Sequence, residues 1–498
     1  MKKHFLKPSI LVLLILINGP IGAQSLDLEY STYIGGSADD RAHDMAINKN
    51  GSVLITAPIQ STNFPLTENA IQKRSTGVYA AMINPAGDSL LFSTYLGAAG
   101  GANYAHGIAV DKNGFIYIVG NTTNAYFPTT EGAFDRTYNG STTDSHGDAF
   151  VMKLNPAGTE IIYSTFIGGS AAEVAGKIAV DDFGCAYIIG MTGSANIPVT
   201  SKAFDNKFDE GKDGLFVAKL NPQGSDLIYC TYLNSGMYDV ITVDDEGCAY
   251  ISGATSLTDF YTTENAFDRT YNGGSGERGE GDAFLCKLSR DGSKLEYSTY
   301  IGGDADDVIA SILIHKDGPI YLSGTTNSSD FPTTSKALSK TLHGGKDCFI
   351  MKFSSSLNKL VYSTLLGGSK DEKAMIQFHN SGLLIVSGET ESPDYPIAGN
   401  AYDAKFNGAS DLFISVVDLD LNKIVYSAFF GGSGYEAGNF IVEGDYIYLA
   451  GTTTSRDFPI TKGSFDAGYN GGGATRWGGD AYITKFKFDK ISELKAGR

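Results

Sequence analysis

The segment Tyr30-Ser-Thr-Tyr-Ile-Gly-Gly36 decides the fold, because it returns with small changes along the whole chain. The later copies start at Phe92, Tyr163, Tyr229, Tyr297, Tyr362 and Tyr426. The spacing between neighbouring copies varies little, so the chain contains seven repeats of nearly constant length. A regular period of this kind is typical of an architecture built from one repeated supersecondary unit.

Each repeat carries the same order of strand and turn signals, which the second repeat shows clearly. Apolar residues at 108–110 lead to an Asp-Lys-Asn-Gly turn, a strand at 116–120 and a Phe127-Pro128 step. A third apolar segment follows at 148–154, and an Asn-Pro-Ala-Gly turn leads into the next copy. These segments are too short for helices, so we predict four strands per repeat. Radial packing of seven such sheets predicts an all-β, seven-bladed propeller.

The two ends of the repeat array predict how the ring closes. Residues Leu26 to Tyr33 form an outermost strand with no inner strands before it. The last repeat has three inner strands, ending near 480–488, and lacks a further Tyr-Ser-Thr-Tyr copy. We therefore expect the N-terminal strand to complete the last blade, so that residues 24–498 form a single propeller without a long unpaired edge.

The repeats resemble the SBBP-type β-propeller repeats of bacterial exported proteins over nearly all of the chain from position 24 onward. The resemblance rests on the Tyr-Ser-Thr-Tyr-Ile-Gly-Gly segments, on Phe-Pro steps such as Phe331-Pro332, and on the Gly281-to-Phe284 type of strand. It implies a propeller. It implies little about activity, because the family includes many uncharacterised envelope and secreted proteins.

The N-terminal segment 1–23 has the pattern of an export signal. Three lysines precede an apolar run at 10–17, and small residues follow at 19, 22 and 23. The run is shorter than the roughly 20 residues that cross a bilayer. No Cys stands near the expected cleavage point, so no lipid anchor is predicted. We expect a secreted or periplasmic monomer without a membrane anchor.

Charge and cysteine content narrow the classes of partner. The net charge of −18 argues against nucleic acid, whose binding needs clustered Lys and Arg. An anionic ligand would require positive charge concentrated at its site. The five Cys are odd in number and lie in expected strands, so we predict buried side chains rather than a disulfide framework.

Comparison of the repeats separates scaffold from candidate site. An Asp opens the third strand in six repeats, and Val78 replaces it in the first; the six are Asp148, Asp213, Asp282, Asp347, Asp411 and Asp480. A carboxylate repeated in this way is expected to anchor a loop. Candidate functional residues are instead those that break the pattern on the face carrying the links between blades and the loops before the third strands.

The pattern-breaking residues form two groups. The acid–base candidates are His106, His146, Tyr104 and Tyr238, and the substrate-binding candidates are Arg41, His43, Arg278, Tyr435, Arg476 and Trp477. Simpler interpretations stay open for several of them. His43 and His106 can also be interpreted as residues that only form hydrogen bonds at the start of a strand. His146 can be interpreted as a solvent-exposed loop residue. Arg278 lies beside two Glu, which favours a surface ion pair. The Trp477 side chain can be interpreted as one that only covers the end of its blade.

No catalytic motif or dense set of metal ligands occurs, and we predict no metal and no cofactor. The first hypothesis is a carbohydrate-active propeller that binds or cleaves an extracellular polysaccharide. Several polysaccharide lyases, ulvan lyases among them, use propellers in which His, Tyr and Arg act on a uronic acid. The analogy with these lyases rests on the shared fold alone. The alternative is a non-catalytic envelope or extracellular scaffold that binds protein or glycan through the propeller face.

Overall fold

The computed structural model describes residues 25–74, 77–140, 146–208, 214–233, 236–275, 281–420, 422–471 and 478–489 of the 498-residue chain. This part of the chain folds into 28 β-strands and contains no α-helix. The predicted export signal lies outside the described residues. Within them, the structure has no helix with the length and apolar character needed to traverse a membrane.

The strands follow one another along the chain in groups of four. Blade 1 comprises β2 (Asp44–Ile47), β3 (Val53–Pro58), β4 (Val78–Ile83) and β5 (Leu90–Leu96). Blade 2 comprises β6 (Asn103–Val110), β7 (Ile116–Thr122), β8 (Asp148–Leu154) and β9 (Ile161–Ile167). Blade 3 comprises β10 (Glu173–Val180), β11 (Ala186–Thr192), β12 (Gly214–Leu220) and β13 (Leu227–Leu233). Blade 4 comprises β14 (Met237–Val243), β15 (Ala249–Thr255), β16 (Asp282–Leu288) and β17 (Leu295–Ile301).

The remaining blades repeat this order. Blade 5 comprises β18 (Asp307–Ile314), β19 (Ile320–Thr326), β20 (Asp347–Phe353) and β21 (Leu360–Leu366). Blade 6 comprises β22 (Glu372–Phe378), β23 (Leu384–Thr390), β24 (Asp411–Asp418) and β25 (Lys423–Phe430). Blade 7 combines β26 (Glu436–Glu443), β27 (Tyr446–Thr453) and β28 (Asp480–Asp489) with the N-terminal strand β1 (Ser25–Ile34).

The seven sheets confirm the predicted seven-bladed propeller. Each sheet has four antiparallel strands, which follow sequential order in all but the last blade, and the innermost strand of each blade contacts those of its neighbours. In blade 7, β1 pairs antiparallel with β28, from Ser25 opposite Asp489 to Ile34 opposite Ala481. The N-terminal strand therefore closes the ring, as the sequence predicted.

The core lies between the blades, because the middle strands of each sheet are buried on both faces. In blade 2, every residue of β7 and β8 is buried. Tyr117 and Val151 of that blade pack in one cluster with Ile188 and Phe216 of blade 3. The Phe of a Phe-Pro step packs into four of the seven clusters, and Phe127 stacks on Phe150 at 4.4 Å between ring centroids. All five Cys are buried and none forms a disulfide, which confirms the prediction for them.

The Asp residues that open the third strands anchor loops, as predicted. Asp148 is fully buried, and its Oδ2 accepts a hydrogen bond from the backbone N–H of Asn139 at 2.7 Å. Asp282 and Asp411 accept the equivalent bonds from Asn272 and Asn407. Each carboxylate thus ties down the loop that precedes its strand. Asp213 lies outside the described residues.

Candidate functional site

One face of the propeller carries both kinds of variable connection. The links from each outermost strand to the next innermost strand end there, and so do the loops between second and third strands. In blade 2, for example, Asn103 lies opposite Thr122, and Thr122 lies opposite Asp148. We call this the long-loop face. The antiparallel register places the pattern-breaking residues of several blades around its centre.

Two adjoining cavities open near the ring axis, and together we call them the axial mouth. The smaller, of about 250 Å³, is lined by Arg41 and His43. The larger, of about 600 Å³, is lined by His106 and by the inner strands of blades 3 to 7. Three residues line both cavities: Glu389, Gly438 and Asn439. The axial mouth is therefore a concave site to which most blades contribute.

Three predicted residues form a row of rings at the rim of the axial mouth. The imidazoles of His43 and His106 have their ring centroids 6.2 Å apart, with an interplanar angle of 28°. Tyr104 lies on the other side of His106, at 6.3 Å and 18°. Tyr104 keeps 37% of its surface exposed, so its phenol is open to a ligand. The strand β6 and the residue that precedes β2 therefore present a Tyr–His–His row.

The tautomer of His106 follows from the amide beside it. Its Nε2 lies 2.8 Å from Asn121 Oδ1. The Nδ2 of Asn121 donates to the carbonyl oxygen of His146 at 2.6 Å, which fixes the direction of the amide. An amide oxygen can only accept, so His106 Nε2 must carry the hydrogen and Nδ1 the lone pair. His146 contributes to this arrangement through its backbone, while its side chain is exposed.

Burial keeps both imidazoles neutral at neutral pH. Desolvation is the main cause that lowers the pKa of His106, while its hydrogen bond with Asn121 acts in the opposite direction. Desolvation, together with the charges of His106, Arg41 and Lys177, lowers the pKa of His43 to about 4. A neutral imidazole with a lone pair on Nδ1 can accept a proton, which a general base requires.

Basic side chains from three further positions surround the axial mouth. Lys177 on β10, Lys346 before β20 and Lys373 on β22 all line the larger cavity. Lys177 Nζ lies 3.2 Å from Asp44 Oδ2, so this ion pair joins the inner strands of blades 1 and 3. With Arg41, these lysines concentrate positive charge in a chain whose net charge is −18. Glu389 adds one negative charge to the lining.

The other predicted residues are placed as follows. Tyr435 lies in the link before β26, where its N–H donates to Thr454 Oγ1 at 2.8 Å, and it does not line either cavity of the axial mouth. Tyr238 belongs to β14, but its side chain lies outside the described part of the structure. Arg278, Arg476 and Trp477 also lie outside the described residues. Their roles stay predictions.

Sequence reasoning missed the lysines and Asn121. Lys373 directly follows the first residue of its inner strand, the position of Arg41 and Tyr104 in their repeats, so aligning the repeats could have identified it. Lys177 is three residues further along its strand than that position, and a bulge shifts the register of β10 between Ala175 and Lys177. Asn121 lies in a second strand, where no sequence signal distinguishes it.

Among the residues that the structure describes, Asp244, Glu246 and Cys248 form a group with closely spaced ligand atoms on the opposite face. Asp244 Oδ1 accepts the backbone N–H groups of Glu246 and Cys248 and so closes a turn. Its Oδ2 lies 3.2 Å from Lys287 Nζ. The lysine already supplies the positive charge at this carboxylate, so the group is explained by turn geometry and one ion pair.

The fold and the site define a seven-bladed propeller with a partly basic axial mouth. Residues 91–128 match the family described as SBBP, Beta-propeller repeat, which confirms the resemblance found in the sequence for this segment. A crystal structure of a protein of unknown function from Dyadobacter fermentans is 8% identical, covers 93% of this chain and 99% of its own, and has a TM-score of 0.43.

Two further solved propeller-like structures are similar at the same low level of identity. The Dos1 propeller covers 93% of this chain and 95% of its own, with 10% identity and a TM-score of 0.40. BamB from Moraxella catarrhalis covers 93% of this chain and 100% of its own, with 9% identity and a TM-score of 0.36. No curated protein matches the chain.

Proposed function

We propose that the chain is an exported protein that binds an acidic, uronate-bearing extracellular polysaccharide at the axial mouth. The observation that carries this proposal is the concentration of Arg41, Lys346 and Lys373 around one concave site of a strongly acidic chain, beside the ion pair of Lys177 with Asp44. Carboxylate groups of a ligand are attracted by such a local field, although the surrounding surface repels them.

The rim of the axial mouth also suits sugar rings. Tyr104 presents an exposed aromatic side chain next to His106, and Asn439, whose Nδ2 donates to the carbonyl oxygen of His43, lies between the two cavities. Pyranose rings offer apolar C–H faces to aromatic side chains and hydroxyl groups to amides. The size of the larger cavity, about 600 Å³, lies in the usual range for small-molecule sites and accommodates a few sugar units.

Binding is tested by titrating the protein with polygalacturonate and with uncharged dextran in a calorimeter. We expect binding of polygalacturonate alone, weakened at least fivefold in the double variant Arg41→Gln, Lys373→Gln and weakened further by salt. The matched control is Lys112→Gln, which removes a lysine on the opposite face. Equal affinity of the double variant and the control would refute this site.

A second candidate function is cleavage of the same polymer by β-elimination, favoured by the neutral His106 with its lone pair on Nδ1. In this reaction His106 removes the C5 proton of a uronate, and the electron pair forms a C4–C5 double bond. The C4–O bond breaks, and the Tyr104 hydroxyl gives its proton to the leaving oxygen. Arg41 or a lysine neutralises the charge that develops on the uronate carboxylate.

Cleavage is tested by following the ultraviolet absorbance of unsaturated uronates with polygalacturonate, alginate and ulvan as substrates. Activity that is lost in His106→Ala while polymer binding persists supports the elimination mechanism. If the protein binds the polymers but none of the three gives an absorbance change, cleavage is refuted and the protein is a non-catalytic glycan-binding scaffold. Activity that survives in both His106→Ala and Tyr104→Phe would refute the assigned acid and base.

A further inference from the structure

Buried carboxylates meet in pairs where neighbouring blades join. In each pair, the Asp that opens the third strand of one blade faces an acid at or just before the inner strand of the next blade. We call these the junction pairs: Asp148 with Glu173, Asp282 with Asp307, Asp347 with Glu372, Asp411 with Glu436, and Asp480 with Asp40. All ten side chains are at most 1% exposed.

A glycine brings the two carboxylates of each pair together. The Cα of Gly168 packs against both acids of the first pair, and an added Cβ there would lie 2.6 Å from Asp148 Oδ1 and 2.9 Å from Glu173 Oε2. The same contact recurs at Gly302, Gly367, Gly431 and Gly35. This is the first Gly of the Tyr-Ser-Thr-Tyr-Ile-Gly-Gly segment, so the repeated sequence itself builds the close approach.

The hydrogen-bond donors leave one oxygen without a partner in three junction pairs and two oxygens, Oδ1 of Asp282 and of Asp307, in a fourth. Glu173 Oε2 accepts the N–H of Gly169 at 2.8 Å, and Glu173 Oε1 accepts the hydroxyl of Thr192 at 2.7 Å. Asp148 Oδ2 accepts the N–H of Asn139. The nearby backbone N–H of Gly140 also favours the ionised carboxylate, but Asp148 Oδ1 has no partner with hydrogen-bond geometry. The corresponding Oδ1 atoms of Asp282, Asp411 and Asp480 are likewise buried without a partner.

The charges around the pairs do not compensate them. The charged neighbours that raise the pKa of Asp148 are Glu173 and Asp135, and those that raise the pKa of Asp480 are Asp40 and Asp466. Two ionised carboxylates buried side by side cost several kcal/mol unless a proton or a cation compensates them. The groups that point at them are N–H and O–H donors, whereas Ca²⁺ requires a shell of six to eight oxygen ligands. A proton fits this environment, because it neutralises one carboxyl group and supplies the missing donor.

At two other junctions no buried carboxylate oxygen lacks a hydrogen-bond donor, for a different reason in each case. Between blades 1 and 2, Val78 replaces the Asp and Asn103 replaces the inner acid, so both carboxylates are absent together. The Asn103 Oδ1 accepts from Thr122 at 2.7 Å, and its Nδ2 donates to Ala98. Between blades 5 and 6, Asp347 Oδ1 accepts the N–H of Gly344 at 3.1 Å. A side-chain amide replaces the carboxylates at the first of these junctions, and a backbone N–H supplies the donor at the second. Neither junction therefore needs a proton to complete its hydrogen bonds.

We propose that the junctions at Asp148, Asp282, Asp411 and Asp480 each hold one proton between their two carboxylates at mildly acidic pH, near pH 6, so that closing the ring is coupled to proton binding. The propeller is then a proton-binding scaffold whose joints between blades weaken when the protons leave. Desolvation raises the pKa of Asp148 and Asp282 to about 7 and that of Asp411 and Asp480 to about 6, in agreement with this arrangement.

The direct test is infrared spectroscopy of the full-length chain in heavy water between pH 5 and pH 9. Protonated carboxyl groups absorb at a higher C=O frequency than carboxylates. We expect this band at pH 6 and its loss toward pH 9. Glu173→Gln places a permanent N–H donor beside Asp148, and it should reduce the band by the share of one junction. The control Glu160→Gln changes an exposed acid in the β8–β9 turn and should leave the band unchanged.

Three outcomes would overturn the proposal. The first is a folded wild-type protein without the band at pH 6, and the second is an unaltered band in a folded Glu173→Gln variant. The third is saturable Ca²⁺ binding in a calorimeter that disappears in Glu173→Gln, since that result would assign a cation to the junction. If Glu173→Gln does not fold, Asp148→Asn makes the same test from the other side of the pair.

Discussion

His106 combines a half-buried imidazole, an aromatic neighbour and an amide of fixed direction, and these features determine its protonation. The amide of Asn121 imposes the Nε2–H tautomer, and burial disfavours the charged form. Nitrogen-15 NMR of histidine-labelled protein should therefore show His106 neutral at pH 7, with the hydrogen on Nε2. Burial likewise lowers the pKa of His43, which should titrate at about 4.

His106→Gln and His43→Gln variants assign the two signals in that experiment. A His106 resonance typical of the Nδ1–H tautomer would mean that the Asn121 amide points the other way. A His43 signal that titrates above pH 6.5 would contradict the desolvation argument.

The sequence singled out candidate residues that interrupt a repeat at the start of an inner strand. Arg41, His43, Tyr104 and His106 belong to this group, and the structure places all four at the axial mouth. Lys346 reaches the same place from a loop before a third strand. Its position depends on the closure of seven blades around one axis, which no local pattern encodes.

At the scale of the strand and its links, Gly168 should be intolerant of a side chain. A Cβ would push into both carboxylates of its junction pair, and neither acid can move without losing its backbone donor. We expect Gly168→Ala to lower the free energy of unfolding by about 1–3 kcal/mol, as overpacking of buried sites does. Denaturant titration measures the change.

Gly193→Ala is the matched control for this substitution. Its added Cβ would meet the Cβ of Ala171 at 3.6 Å, an ordinary van der Waals contact, and we expect a much smaller effect. Equal losses of stability in the two variants would show that chain entropy, and not the crowded carboxylates, explains the result.

The strands themselves could be predicted because each has a short apolar pattern between turn residues. The partner of each third-strand Asp could not be predicted in this way. Asp148 and Glu173 are far apart along the chain and belong to different blades, and they meet only because the link through Gly168 folds back between them. Repetition marked Asp148 correctly as scaffold, but its chemistry depends on the neighbouring blade.

At the scale of the whole molecule, β1 closes the ring, and its removal should leave β28 as an unpaired edge. A chain that begins at residue 35 loses the ten-residue strand and the contacts of Leu26 and Tyr33 with the blade 7 core. We expect it to unfold at a lower temperature and to self-associate through the exposed edge, because unpaired strands pair with other chains. Size-exclusion chromatography and thermal melting compare it with a chain that begins at residue 24. A monomer with unchanged melting temperature would show that the ring does not need this strand.

The junction pairs also predict how the stability of the whole ring depends on pH. The ordinary pKa of an Asp is 3.8, and the pKa values of Asp148, Asp282 and Asp307 rise to about 7 in the folded chain, mainly through desolvation. Acids with a raised pKa bind protons more tightly when folded. Their contribution is therefore complete below about pH 4 and is lost as the pH rises through 6 to 7. Each junction that holds one proton makes the unfolding constant rise by up to about tenfold per pH unit in this window, and the factors of several junctions multiply.

Two effects must be separated from this one. His43 and His106 have lowered pKa values and so favour unfolding as the pH falls below 6.5, but they are two groups against several junctions. The net charge of −18 also makes surface repulsion grow with pH. Salt at 1 M screens that repulsion over about 3 Å and leaves buried pairs largely unaffected. Denaturant unfolding in 1 M salt should then still show a more stable protein at pH 5 than at pH 8, with a smaller difference in Glu173→Gln. A stability that is independent of pH in 1 M salt would mean that surface charge, and not the protons between the blades, governs the ring.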